Sequence, residues 1–240
     1  MLSSVGRGLA RYLAKPSRRF RPSVVSGREA RWQDFVAPGD VLLVEGSSRI
    51  STAIKYLTQS TWSHAAICVG ERGPAPLVEA DVVEGVIAVP YSKYADSNVR
   101  ICRPVGLAAD DRDALIRFVV ARIGSTYDMQ NVFDLARYLW PMPPVPARYR
   151  RGLLTFGSGD PTKAICSSLI AEAFDAVRYP ILPDVWHDST DPRVKRLVYQ
   201  MRHHGSYTPR DFDLSPYFAV VKPTLERFDF HAFPWREHAV

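Results

Sequence analysis

Two side chains in this sequence stand where nucleophilic chemistry could begin. Cys166 follows the turn Gly157-Ser158-Gly159-Asp160-Pro161-Thr162 and opens a helix that the spacing predicts over 164–177. A thiol at a helix N-terminus meets the positive end of the macrodipole and unpaired backbone N–H groups. Both favour thiolate, the reactive form. The same N–H groups can hold an oxyanion when a carbonyl is attacked. Leu169, Ile170, Ala173 and Phe174 form one apolar face, so the helix packs on a sheet and presents its first turn at an edge. On local sequence alone Cys166 reads equally well as a buried small hydrophobe.

The second side chain is His64. It opens the apolar run Ala65-Ala66-Ile67-Cys68-Val69, a strand that ends at Gly70. Leu77-Val78-Glu79-Ala80-Asp81 returns beside it. Side chains alternate faces with period two. A turn closed symmetrically at Gly70 and Leu77 puts Glu79 and Asp81 on the His64 face, and a slip of one residue would move both acids away. A carboxylate there could hold the imidazole by its second nitrogen and stabilise the imidazolium. Glu79 is the first choice for that acid and Asp81 the alternate. Both also read as parts of a solvated strand face.

The elements that must position these groups are legible in outline. Pro38-Gly39-Asp40 is turn chemistry and 41–44 a buried strand. Ser47, Ser48 and Ser51 offer caps for a helix running to about Thr58. Strands over 64–70, 77–81, 85–90 and 98–105, separated by short turns, predict an antiparallel meander. Asp110 and Asp111 cap a helix whose apolar face is Ala114, Leu115, Phe118, Val119 and Ile123, and Gly124 ends it. A further helix is expected over 128–139, and an exposed loop over 140–151. Pro180, Pro183 and Pro192 predict a long irregular connection, in which Trp186-His187-Asp188 reads as exposed loop. A last strand covers 217–222.

The bulk numbers exclude several classes. The chain has 240 residues, 46% of them hydrophobic, and a formal net charge of +6. That length can bury a sizeable core as one domain. The charge is local: residues 1–31 hold eight basic side chains and one acid, leaving a balance near −1 elsewhere. A nucleic-acid interface across the domain is therefore not expected. The chain divides into a basic tail or short amphipathic helix over 1–31, a catalytic domain over 32–222 and an aromatic-rich tail over 223–240. The three cysteines, Cys68, Cys102 and Cys166, form neither a metal-ligand spacing nor a disulfide framework. Cys68 and Cys102 read as strand packing, and His187, His203, His204, His231 and His238 make no metal pattern. No metal and no cofactor are expected. Neither a secretory signal nor a transmembrane run is visible, so a cytoplasmic protein is expected, with peripheral membrane contact through the basic N-terminus.

Four segments together resemble a known group. They are Gly39-Asp40-Val41-Leu42-Leu43, Trp62-Ser63-His64-Ala65-Ala66-Ile67, Val78-Glu79-Ala80 with Gly85-Val86, and Ile165-Cys166-Ser167-Ser168-Leu169-Ile170. They look like the permuted papain-like branch of the NlpC/P60 superfamily, nearest to its YiiX/YaeF-like amidases. The chain order His, acid, Cys is similar to that permuted branch. The resemblance spans roughly residues 36–221. It implies an α+β, circularly permuted papain-like fold, with an antiparallel sheet against the cysteine helix. It also implies a triad of Cys166 as nucleophile, His64 as base and Glu79 as orienting acid. Gly124-Ser125-Thr126-Tyr127-Asp128 resembles the family segment before its central helix, so Tyr127 is expected to border the substrate. The expected activity is hydrolysis of an amide, in a peptide or an acyl-amide, through a thioester. A lipid-directed acyltransferase or thioesterase is the alternative, and a non-catalytic binding module the third reading.

Overall fold

The apolar run at 41–44 becomes β1 (Val41–Val44), and all four of its residues are buried. It can be apolar on both faces because both faces of the sheet are covered. In the computed structural model β1 lies between β2 (His64–Cys68) and β5 (Val99–Pro104), antiparallel to each. β3 (Leu77–Asp81) and β4 (Gly85–Val89) continue the sheet on one side, and β8 (Phe218–Val221) completes it on the other. The order is β4-β3-β2-β1-β5-β8, antiparallel throughout. The structure describes Tyr12, Lys15 and residues 31–125, 165–188 and 196–222, with the backbone alone at 165–166, 186–188 and 196–199. The helix expected over 128–139 and the loop over 140–151 lie outside the described residues.

Helix α1 (Arg49–Thr58) starts where the serines predict. The Ser48 hydroxyl accepts from the Ser51 N–H at 3.1 Å. Helix α2 (Ala109–Val120) is capped by Ala108, with no side-chain bond at the cap. Asp110 and Asp111 therefore do not cap it. They sit in its first turn, where the dipole favours acids. Helix α3 (Ile165–Ala176) carries Cys166 in its first turn, as the spacing predicts. Helix α4 (Pro209–Leu214) has no counterpart in the sequence reading. Its capping box is explicit, with the Thr208 N–H donating to Asp211 Oδ2 at 2.7 Å and Pro209 at the start.

One face of the sheet is covered by α2, α3 and α4. Leu115, Val119, Leu169, Ile170, Ala173, Phe174 and Phe212 meet Val41, Leu43, Ala65, Ile67 and Val78 there. The other face is covered more thinly. Trp32, from the 3₁₀ turn Trp32–Phe35, and Tyr94, from the 3₁₀ turn Tyr91–Tyr94, pack on Leu42, Val44, Ala66, Cys68 and Leu77. Cys68 and Cys102 are both buried, one on each face, as packing residues. Beyond β4, Gly124 (φ 88°) turns the chain so that its N–H reaches the Val86 carbonyl at 2.8 Å. The Val86 N–H in turn donates to the Ser125 carbonyl at 2.9 Å.

The connection after α3 departs from expectation. Two strands, β6 (Asp184–Asp188) and β7 (Arg196–Gln200), pair antiparallel as a separate two-stranded sheet. Trp186, His187 and Asp188 lie in β6, not in a loop. Pro180 and Pro183 precede β6, so neither removes a donor from the ladder.

Candidate active site

β2 and β3 pair with Ala66 opposite Glu79 and Cys68 opposite Leu77. This register differs by two residues from a turn closed at Gly70 and Leu77. The connection takes up more chain, through the 3₁₀ turn Gly70–Arg72 and a bond from the Val69 N–H to the Pro76 carbonyl at 2.8 Å. A shift of two preserves the faces. His64 and Glu79 therefore share a face, and His64 Nε2 lies 3.3 Å from Glu79 Oε2.

Glu79 is 1% exposed and His64 22%. Lys93 Nζ donates to Glu79 Oε1 at 2.5 Å, and the Tyr94 hydroxyl donates to Oε2. Burial alone would push the Glu79 carboxyl up. The hydrogen bond and charge of His64, together with the hydrogen bonds from Lys93 and Tyr94, outweigh it and hold the group at about 2. Glu79 is thus an anion at any working pH. The Tyr94 ring also lies over the site, 6.1 Å from the imidazole between centroids.

Asp81 does different work. Its Oδ1 accepts from the N–H groups of Val83 and Glu84, at 2.7 and 3.0 Å, and closes the β3–β4 turn. Tyr127 lies outside the described residues, as does the side chain of Cys166.

The backbone of α3 shows where Cys166 is carried. Just past the helix, the Tyr179 hydroxyl donates to the carbonyls of Val105 and Tyr217, at 2.8 and 2.6 Å. Val105 follows β5. The opposite end of β5 is Val99, and Val44 pairs with both Val99 and His64. The helix therefore finishes at the end of the sheet away from His64, and 12 residues span about 18 Å. Its first turn is directed toward the end where His64 opens β2. At that turn the Ser167 hydroxyl donates to the Tyr207 carbonyl at 2.8 Å. The chain after Tyr207 forms α4, whose Asp213 accepts from Trp62 Nε1 at 3.1 Å, two residues before His64. His64, Ala66 and Cys68 alternate away from the face that α3 covers, so an approach from α3 to His64 has to pass the open end of β2.

Residues 35–138 match the model of a family described as permuted papain-like amidase enzyme, YaeF/YiiX, C92 family. Over that span the chain is similar to this family. The α+β sheet-and-helix architecture fits the permuted papain-like fold that this description names, and the match supports an enzyme of the cysteine-hydrolase kind. No curated protein matches the sequence. Among solved structures, the chain is similar to one titled a crystal structure of metalloprotein yiiX from Escherichia coli O157:H7. The two are 15% identical, with a TM-score of 0.46, covering 78% of this chain and 97% of that one. Among the described residues no three His, Cys, Asp or Glu side chains gather as a metal site. No helix among them is long and apolar enough to cross a membrane.

The sequence reading misses Lys93 and Tyr94. They lie on a 3₁₀ turn after a strand and carry no periodicity. The only local signal is Pro90, which starts the turn.

Proposed function

We propose that the chain cleaves an amide bond through a thioester, with Cys166 as nucleophile, His64 as base and Glu79 as the acid that orients it. The observation that carries this reading is the His64–Glu79 pair: a buried anionic carboxylate 3.3 Å from Nε2 of a partly exposed imidazole. With Nε2 turned to the carboxylate, Nδ1 is the nitrogen that takes the thiol proton. The thiolate attacks the carbonyl carbon and forms the C–S bond. The oxyanion is held by N–H groups at the start of α3. As the tetrahedral intermediate collapses, the C–N bond breaks and the imidazolium gives its proton to the leaving amine. Water then attacks the thioester, His64 accepts its proton, and the thiolate leaves.

Cys166→Ala and His64→Ala are each expected to abolish turnover of acyl-amide and acyl-ester libraries while leaving the fold intact. Both variants fully active would refute the assignment. Labelling by iodoacetamide at roughly pH 6 tests the thiol directly, because an ordinary cysteine near 8.5 is almost unreactive there.

A second reading takes an acyl-lipid as the substrate. It is favoured by the contacts of Tyr12 and Lys15, which belong to the basic N-terminal sequence. The Arg49 guanidinium lies 4.0 Å over the Tyr12 ring, and the Arg49 N–H donates to the Lys15 carbonyl at 3.1 Å. Arg49 begins α1, a few residues after Val44, the partner of His64. Tyr12 and Lys15 are therefore held near the end of the sheet that bears the imidazole.

A further inference from the structure

The carboxylate of Glu79 is shared among three groups, and only one of them is in the triad. Lys93 Nζ holds Oε1 at 2.5 Å. The Tyr94 hydroxyl and His64 Nε2 both address Oε2. Glu79 is almost wholly buried, whereas the Lys93 side chain is 37% exposed. Lys93 therefore brings a positive charge from the rim of the site onto an acid almost wholly shielded from solvent.

A buried carboxylate facing an imidazole by itself favours imidazolium strongly. A base held in that state is slow to take a second proton, and general-base efficiency is best when the proton affinity lies near the working pH. We propose that Lys93 is a positioning residue of the site. Paired at one oxygen of Glu79, it limits how far that carboxylate favours protonated His64, while Tyr94 fixes the other oxygen toward the ring. This rests on His64 being the base of the proposed hydrolase. Among the described residues, Glu79 from β3 and Tyr94 from the 3₁₀ turn after β4 lie against His64, and Lys93 of the same turn reaches it through Glu79. Cys166 belongs to α3, which packs against β2. Glu45 and Lys55, beside the paired end of β1, close on each other at 3.5 Å.

A purely structural Lys93 would only help to bury Glu79. The two roles separate in the titration of His64, followed in the full-length protein by the Cε1–H signal, assigned by its loss in His64→Gln. Lys93→Met removes the ammonium and is expected to raise the midpoint by about one pH unit. Lys93→Gln keeps an N–H donor for Oε1 but no charge, and is expected to raise it as well. Lys93→Arg is expected to restore the wild-type midpoint. Tyr94→Phe keeps the ring and is expected to raise the midpoint less than Lys93→Met. A midpoint unmoved or lowered in Lys93→Gln, with a native spectrum, overturns the proposal even if Lys93→Met does not fold. The titration does not use Cys166, so the two failures are distinct. Normal labelling of Cys166 with an unmoved midpoint defeats the Lys93 role alone. A moved midpoint with an inert Cys166 upholds the coupling and defeats the hydrolase reading.

Discussion

At Glu79, burial and ionisation pull in opposite directions, and three donors decide between them. A carboxyl held at about 2 in the folded chain, against about 4.3 when unfolded, is a stability term. Because the folded value is the lower one, the stabilisation is present above pH 4.3 and is lost as pH falls toward 2. It amounts to roughly 3 kcal/mol at most, on a shift of about two units. Urea unfolding should show it. The wild type is expected to lose stability steeply between about pH 4.5 and 2.5. Glu79→Gln, less stable at pH 7, is expected to lose less over that window, and parallel losses would contradict this. The pairing of Glu79 with His64 was legible in the sequence because it depends only on parity. Any register that keeps the faces brings the acid to the imidazole's side. Parity alone did not decide between Glu79, the first choice, and Asp81, the alternate. Glu79 and Asp81 share parity, and a turn that ties up Asp81 with two backbone N–H groups is a local conformation that alternation does not describe.

The elements that carry His64 are braced from the far end of the chain. Trp62 donates to Asp213, Arg100 of β5 also pairs with Asp213, and the Arg100 guanidinium lies 5.0 Å over the Trp62 ring. Helix α4 thus clamps the approach to β2. Asp213→Ala removes an acceptor shared by two donors and is expected to destabilise by about 2 kcal/mol. Asp213→Asn is expected to be milder, since it can still accept from Trp62. A chemical-denaturation midpoint equal to wild type in Asp213→Ala would remove the clamp from the account. α4 was within reach of the sequence, since Thr208-Pro209 with Asp211 at the third helical position is a capping box. The β6–β7 ladder was harder. Prolines before and after a strand signal irregular chain when counted, and signal strand boundaries only once their positions relative to the ladder are known.

At the scale of the whole molecule, charge and architecture are separable. The domain is close to neutral, while residues 1–31 carry eight basic side chains against one acid. If this segment serves a lipid substrate, the full chain should bind vesicles containing phosphatidylserine and release them as salt rises. A chain lacking residues 1–31 should bind at least tenfold more weakly at low salt, given about 1 kcal/mol per basic side chain near an anionic surface. Equal co-sedimentation of the two chains would count against the lipid reading. The overall plan was legible from composition and turn chemistry. A meander of short strands followed by a helix bearing the thiol leaves few ways to cover a sheet on one face. The thin cover of the opposite face was not legible, because Trp32 and Tyr94 reach it from 3₁₀ turns that have no signature of their own.

The two bonds at Val86 bear on how the molecule meets its neighbours. A bare outer strand is a template onto which a foreign chain can zip. Here the polypeptide leaving α2 folds back and occupies the outward N–H and C=O of Val86 with Gly124 and Ser125. Any intruder seeking to extend the sheet past β4 would first have to peel away this built-in selvage.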